Sequence, residues 1–469
     1  MLHGLVLRYA RDRKANVAVI FALMMVPTIY LLGMALDYTQ KQRRQNQLDA
    51  AADAAAIAAV RPAMLTETNA DVVKATAAAV FAAKAALPGL TAVPTPTITV
   101  DDSGLQRTIT VSYVAQSINN FPSVLGSPSW QVWGSSKAQA SSAPNMNFYL
   151  LLDDSPSMAI AATQTDIDNL ISKTSGQPSG SKNCGFACHE THPNLDSGAN
   201  SSTKDNLSIA RTNNVTLRID LVVNAVKQLL VGPWSCLQAG VSGGVMQCMS
   251  AINNTTYKAA IYTFDYNLNT VQTLTSPSTA GTQISNIQLL TVDHQNCVTT
   301  SVCNTDFGTD ISGALTSLNN IMPNPGSGTN QSGDTPQEVI FLVTDGVEDK
   351  LIAKSASCDP NATTPLPAAG TQVRCQQPLN TAICDTIKAK KVRIAILYTE
   401  YLQLTSDGWY NSRIAQFNLP SSSTGTIAQR LKSCASPGLF ANVQTGGDIS
   451  TALTNLFLKV ASSTASLVQ

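Results

Sequence analysis

Histidine is scarce in this chain, charge is thin, and the first 183 residues contain no cysteine. With four histidines, at positions 3, 189, 192 and 294, general acid–base catalysis has few candidates. Only 13% of the residues are charged, 30 basic against 30 acidic, which excludes a protein that grips nucleic acid through a basic surface. No Gly-x-x-x-x-Gly-Lys stretch occurs, so a phosphate-cradling P-loop is excluded as well. The thiols missing early appear later: all ten cysteines lie between Cys184 and Cys434, an even number that points to disulfides in an oxidising compartment.

The N-terminal end offers a route to such a compartment. Val17 to Leu36 (VAVIFALMMVPTIYLLGMAL) is a run of twenty uncharged, mainly apolar residues. At about 1.5 Å of rise per residue it can cross a hydrocarbon core of about 30 Å. It exceeds a signal-peptide core in length and no small-x-small site ends it, so a retained anchor is expected. Arg8, Arg11, Arg13 and Lys14 precede the run and Lys41, Arg43 and Arg44 follow it, a slight bias towards a cytoplasmic N-terminus. The cysteines settle the expectation: a single-pass protein of a bacterial inner membrane, with its C-terminal part in the periplasm.

From Asp37 to about Leu87 the chain is alanine-rich and predicts helix in two pieces, separated near Arg61 to Thr66. Thr97 to Val100 and Thr108 to Val114 then read as strands around a polar turn at 101–104. Residues 1–137 thus form an anchor with a small helical and β stalk, and the small polar residues 138–146 read as a linker. The segment RDRKANVAVIFALMMVPTIYLLGMALDYTQKQRRQNQLDAAADAAAIAA resembles the N-terminal anchor of TadE/TadG-like proteins of bacterial Flp (tight adherence) pilus systems. Its most specific parts are NVAVIFAL, the Asp37-Tyr38 pair and LDAAADAAA. Processed pilin-like relatives carry a Gly and, five residues on, a Glu; Ala15 and Ile20 here favour an unprocessed anchor.

Residues 147–465 alternate apolar runs with amphipathic stretches. Phe148 to Leu152, Ala259 to Phe264, Val339 to Val343, Val392 to Tyr398 and Leu439 to Val443 suit strands buried on both faces. Leu217 to Leu230, Thr309 to Met322 and a last stretch capped by Asp448 suit helices, so an α/β domain with a mostly parallel sheet is expected. The surplus length sits in cysteine-bearing insertions. Pairing Cys184 with Cys188, Cys236 with Cys248, Cys297 with Cys303 and Cys358 with Cys375 closes each one locally, leaving Cys384 and Cys434 to join two helices.

Ligands of such sheets bind at the carboxyl ends of the strands, and oxygen donors collect there. Asp153, Ser155 and Ser157 follow the first strand, Thr309 opens a helix, and Asp345 follows Val339 to Thr344. Each alone could be a cap or turn residue. As a set they resemble the metal-ion-dependent adhesion site of the von Willebrand factor type A family, with its D-x-S-x-S loop, a Thr in a second loop and an Asp in a third. Pro156 stands where many members carry Gly. The resemblance implies a Rossmann-like fold and a divalent cation, Mg²⁺ with Ca²⁺ or Mn²⁺ as alternatives, held by Asp153, Ser155, Ser157, Thr309 and Asp345. It also implies a protein partner whose acidic side chain completes the metal, with Asp154 and Asp310 as supporting candidates. Together the two resemblances imply a TadG-type pilus-assembly component that binds rather than catalyses. A surface adhesin using the same site is the alternative.

Two motifs compete. CGFACHETH, residues 184–192, offers two thiols and two imidazoles for zinc, or a string like a c-type haem attachment; a disulfide is the simpler expectation. Gly240 to Gly244 (GVSGG) matches a hydrolase nucleophile pattern, but the sequence suggests neither the strand before it nor the helix after it.

Overall fold

The computed structural model describes residues 13–122, 126–179, 181–185, 189–234, 236, 240–294, 308–359, 362–363, 365–367, 371–401, 403, 408, 410–419, 425–444, 446–461 and 465–467. The chain divides into two compact units, one of Met1–Ser142 with Ser463–Gln469, the other of Ala143–Ser462.

In the first unit, helix α1 (Arg13–Ala59) carries the apolar run and continues without a break into the alanine-rich stretch, past Pro27. A short turn of helix at Pro62–Leu65 and helix α2 (Ala70–Ala85) follow, so the expected interruption falls where Arg61 and Pro62 stand. Strands β1 (Thr97–Ser103), β2 (Gln106–Ile118) and β3 (Ser129–Ser141) form an antiparallel sheet. Its fourth strand is the C-terminal Ala465–Leu467, paired with Ala138–Ala140. The expected linker is therefore shorter than 138–146. Ala138 and Ala140 are buried in β3 because alternate small residues there face the helices. Leu48, Ala51, Ala52, Ala55, Ala56 and Ala59 of α1 pack on Ile109, Val111, Tyr113 and Val132, the alanines letting helix and sheet approach closely. From Val17 to Leu36, by contrast, α1 exposes its large apolar side chains, Phe21 at 68% and Leu23 at 69%. It is one helix long and apolar enough to cross a membrane.

The second unit is built on a six-stranded sheet. In chain order its elements are β4 (Met146–Asp153), α3 (Gln164–Lys173), α4 (Arg218–Leu230), α5 (Val245–Asn253), β5 (Tyr257–Phe264), β6 (Leu268–Thr275), α6 (Ile311–Ile321) and β7 (Gln337–Thr344). A hairpin of β8 (Val347–Ala353) and β9 (Gln372–Pro378) comes next, then α7 (Ala382–Ala389), β10 (Arg393–Thr399), α8 (Ile427–Cys434), β11 (Phe440–Val443) and α9 (Ile449–Ala461). The strand order is β11-β10-β7-β4-β5-β6, parallel throughout except for the antiparallel edge strand β6.

Every residue of β4 is buried. Phe148, Leu150 and Leu152 point to the face covered by α4 and α9, while Tyr149 and Leu151 point to the face covered by α6, α7 and α8. The near-continuous apolar run is thus a strand with two dry faces. Three bridges, Cys236–Cys248, Cys358–Cys375 and Cys384–Cys434, match the expected pairs, and the last joins α7 to α8. The expected Cys184–Cys188 and Cys297–Cys303 pairs involve Cys188, Cys297 and Cys303, which lie outside the described residues.

Candidate metal centre

The parallel strands set the geometry. Leu152 pairs with Val343, so β4 and β7 end side by side, and Asp153 and Asp345 leave the sheet at the same edge. Both carboxylates are fully buried. Asp153 is the better supported: its Oδ1 accepts from Ser155 Oγ at 2.6 Å and Ser155 N at 3.1 Å, and its Oδ2 accepts from Thr344 Oγ1 at 2.6 Å. Ser155 and Ser157 bring their Oγ atoms to 3.0 Å of each other, so the D-x-S-x-S loop is curled on itself. Pro156 opens a short 3₁₀ turn, Pro156–Ala159, where its fixed φ is an advantage.

Asp345 is different. Among the described residues neither of its oxygens makes a hydrogen bond of good geometry, although nothing of the residue reaches solvent; the Ser157 and Tyr401 hydroxyls and the Val347 N–H lie near enough to pull its carboxyl down. Its charged neighbour is Arg218, the first residue of α4, whose Nη1 lies 3.7 Å from Asp345 Oδ2 and makes no hydrogen bond among the described residues. Arg218 is fixed from its other side, Nη2 donating to Glu400 O at 2.8 Å and the guanidinium lying 5.2 Å from the Tyr401 ring centre. Burial pushes the Asp345 carboxyl up, against the opposing pull of Arg218. Burial first, and then the charge of Asp345, push the Asp153 carboxyl well up. The Asp345 charge thus reaches Asp153 in a dry site where Arg218 faces Asp345.

Thr309 stands nearby by a different route. Its loop rests on the first one, for a Cβ added at Gly308 would lie 3.2 Å from Pro156 Cδ. Thr309 is buried and bridges to Asp349 through backbone bonds of 3.2 and 2.8 Å, but its hydroxyl makes no hydrogen bond to Asp153, Ser155 or Ser157. Asp310, proposed as support, is engaged elsewhere, capping α6 through Gly313 N at 2.9 Å and accepting from Lys350 Nζ at 3.2 Å. Asp154 is buried beside Thr263 and Asp265, with one oxygen unbonded, and burial pushes its carboxyl up to about 7. Arg218, Thr344 and Tyr401 escape sequence reading. Thr344 has a signal, a hydroxyl directly before the strand-ending Asp; Arg218 and Tyr401 are remote in sequence and have none.

The rival motifs resolve differently. His189 Nδ1 meets Asp205 Oδ2 at 2.9 Å and His192 Nδ1 meets Asp293 Oδ1 at 2.6 Å, so the two imidazoles go to separate carboxylates. Among the described residues no three His, Cys, Asp or Glu side chains gather as a metal-binding group. The GVSGG stretch is followed by a helix, contrary to expectation: Gly244 is the N-cap of α5, and Cys248 within α5 closes the loop onto Cys236. Ser242 is exposed, and no hydrogen bond joins it to an imidazole or carboxylate among the described residues.

Residues 15–64 match the family described as putative Flp pilus-assembly, TadE/G-like, which makes this N-terminal segment TadE/G-like. No curated protein matches the chain. Among solved structures it is similar to the PilB minor pilin from Streptococcus sanguinis, at 10% identity over 78% of this chain and 77% of that one, TM-score 0.33. It is similar also to the vWF domain of the type V pili tip protein Mfa5 from Porphyromonas gingivalis, at 11% identity over 68% and 95%, TM-score 0.32. A third is the conserved hypothetical protein BatB from Bacteroides thetaiotaomicron, at 12% identity over 68% and 99%, TM-score 0.30. Scores this low leave the reading of the site to its own residues.

Proposed function

We propose that the second unit is a von Willebrand A-type domain that binds a protein partner through a divalent cation, in a membrane-anchored component of Flp pilus assembly. Asp153, Ser155, Ser157, Thr309 and Asp345 would hold the ion. The observation that carries this reading is Asp345, whose two buried oxygens make no hydrogen bond of good geometry among the described residues, at the sheet edge where Asp153 and two serine hydroxyls converge and with Ser157 close enough to lower its pKa. An orphaned buried carboxylate is costly unless a cation meets it, and Arg218 at 3.7 Å meets one oxygen only loosely. The donor set is all oxygen, which suits Mg²⁺ over a softer metal.

When bound, the ion supplies a positive coordination position for an acidic side chain of the partner. The protein's own residues do the rest: the β4 and β7 carboxylates are locked by the sheet, Thr344 orients Asp153, and Pro156 stiffens the serine loop. Recognition rather than turnover is supported by the scarcity of histidine, four in the whole sequence and none in the proposed ligand set. The TadE/G-like segment supports a pilus-associated role, and the apolar helix with three disulfides supports a periplasmic placement of the second unit. Titration of the purified chain with Mg²⁺ is expected to give a one-site isotherm that Asp153→Ala or Asp345→Ala abolishes. Partners co-purifying from membranes are expected to be lost with either substitution or with chelator. Recovery of the same partners with Asp153 gone and metal chelated would overturn the metal bridge.

A further inference from the structure

The end of the β2–β3 hairpin sits beside the last turn of the apolar run. Asp37, the first residue past that run, is 2% exposed and accepts from Asn120 N at 2.7 Å and Phe121 N at 3.0 Å. The carboxylate thus clamps the hairpin's turn to the helix at the level where the apolar run stops. Phe121 reaches lower still. A Cβ added at Gly33 would lie 3.3 Å from Phe121 Cγ, so the ring packs on the run itself, one helical turn below Asp37 and about 4–5 Å inside its end.

The neighbours at this level share a character. Trp130 meets Tyr38 edge-on at 6.5 Å, and Lys41 Nζ lies 5.9 Å from the Trp130 ring. Tyr38 is 57% exposed, Ile118 42% and Phe121 38%, although aromatic residues make up only 6% of the chain. A soluble surface has no reason to gather such groups around a helix that is apolar on all sides. The zone between hydrocarbon and water does: amphipathic rings concentrate there, and lysine spans it with an apolar stem and a charged head.

We propose that the turn end of the β2–β3 hairpin is a second membrane contact, seated in the interfacial zone of the bilayer that α1 crosses, through Phe121, Ile118, Tyr38 and Trp130 with Lys41 at headgroup level. The surface is continuous with the apolar run, because Phe121 packs directly on it, and this identifies the occupant as lipid. Such a contact fixes the rotation and tilt of α1, which a lone apolar helix leaves free. The hairpin also supplies its own control. Trp133 lies farther along β3, and Gln45 donates to its carbonyl. Gln45 is nine residues past Leu36, about 13 Å along the helix, beyond an interfacial zone of about 6 Å per leaflet.

The full chain in phosphatidylcholine vesicles containing lipids brominated in the acyl chain tests this through tryptophan quenching. Single-tryptophan chains retain Trp130, retain Trp133, or carry Phe121→Trp or Leu31→Trp in a background where all four native tryptophans are phenylalanine. Phe121→Trp is expected to show at least half the quenching of Leu31→Trp, Trp130 an intermediate value, and Trp133 almost none. Adding Asp37→Ala is expected to release the hairpin and lower the quenching of Phe121→Trp at least twofold, with unchanged quenching of Leu31→Trp reporting an intact anchor. Quenching of Phe121→Trp and Trp130 no greater than that of Trp133, with Leu31→Trp quenched, overturns the proposal. Quenching of none of the four overturns it together with the membrane span.

Discussion

Arg218 and Asp345 face each other inside the protein, 4% and 0% exposed at the side chain, and neither is fully satisfied. A divalent ion bound at Asp345, as proposed, would compete with this guanidinium. Arg218→Gln is therefore expected to tighten Mg²⁺ binding by roughly tenfold while lowering the stability of the metal-free chain by about 3 kcal/mol, because a buried carboxylate loses its counter-charge. Calorimetric titration and urea unfolding with chelator read the two effects separately; a chain that is both weaker for Mg²⁺ and less stable would mean that Arg218 serves only to hold the loops. Gly346 is the second sensitive residue. Its φ is +82°, and a Cβ there would lie 2.5 Å from Ile427 Cγ2 and 2.7 Å from Leu431 Cδ1. Gly346→Ala should cost about 2–3 kcal/mol and push α8 from the loop that carries Asp345, weakening Mg²⁺ binding in the same titration. Asp153, Ser155, Ser157 and Asp345 of the candidate site were legible as a group at one sheet edge because each follows a strand. Arg218 was not, since only the folded sheet brings the start of α4 to that edge.

At the scale of elements, legibility tracked burial. The runs Ala259 to Phe264, Val339 to Val343 and Val392 to Tyr398 announced strands within a residue or two of β5, β7 and β10, because two dry faces demand unbroken apolar sequence; Leu439 to Val443 announced β11 equally closely, but β11 is an edge strand, half-buried or exposed at three of its four residues, and not the doubly buried strand expected. Strand β6 did not, being an edge strand whose residues are all half-buried or exposed. The β8–β9 hairpin was hidden for another reason. Its charges are paired internally, Arg374 of β9 with Asp349 of β8 at 2.6 Å across the ribbon and Lys350 with Glu348 at 2.9 Å along β8, so a stretch that reads as a polar insertion is a ribbon. The disulfides differ in the loop they close, 50 residues for Cys384–Cys434 and 12 for Cys236–Cys248. Loop entropy predicts that replacing the first pair by alanine costs about 4 kcal/mol and the second about 3 kcal/mol. Urea unfolding of the two double variants checks the order, and a larger loss from the shorter loop would point to native contacts rather than chain entropy.

For the whole molecule, one N-terminal helix carries the membrane expectation. A charge at its middle should be decisive: Val26→Arg, at about 2.5–3.5 kcal/mol for an arginine at the centre of a span, is expected to shift the chain from the carbonate-resistant membrane fraction towards the soluble one. Fractionation followed by immunodetection measures this, and full retention of the variant would argue against a span centred there. The sequence foresaw a long apolar helix, a small sheet and an α/β unit, yet not that the last residues described, Ala465–Leu467, rejoin the first unit's sheet. A three-residue pairing with a partner more than three hundred residues earlier leaves no local pattern to read.

The position of β4 has a consequence for how the chain is made. This strand emerges first in its unit, yet it ends between β5 and β7, whose matching residues Thr263 and Val343 lie more than a hundred and nearly two hundred residues beyond Leu152. Until both arrive, a strand whose centre, Phe148–Leu152, is apolar stands with two open edges, a template for pairing with any other extended chain. A chain made in that order would carry this open strand until residues near 344 have emerged, an interval in which misassembly competes with folding.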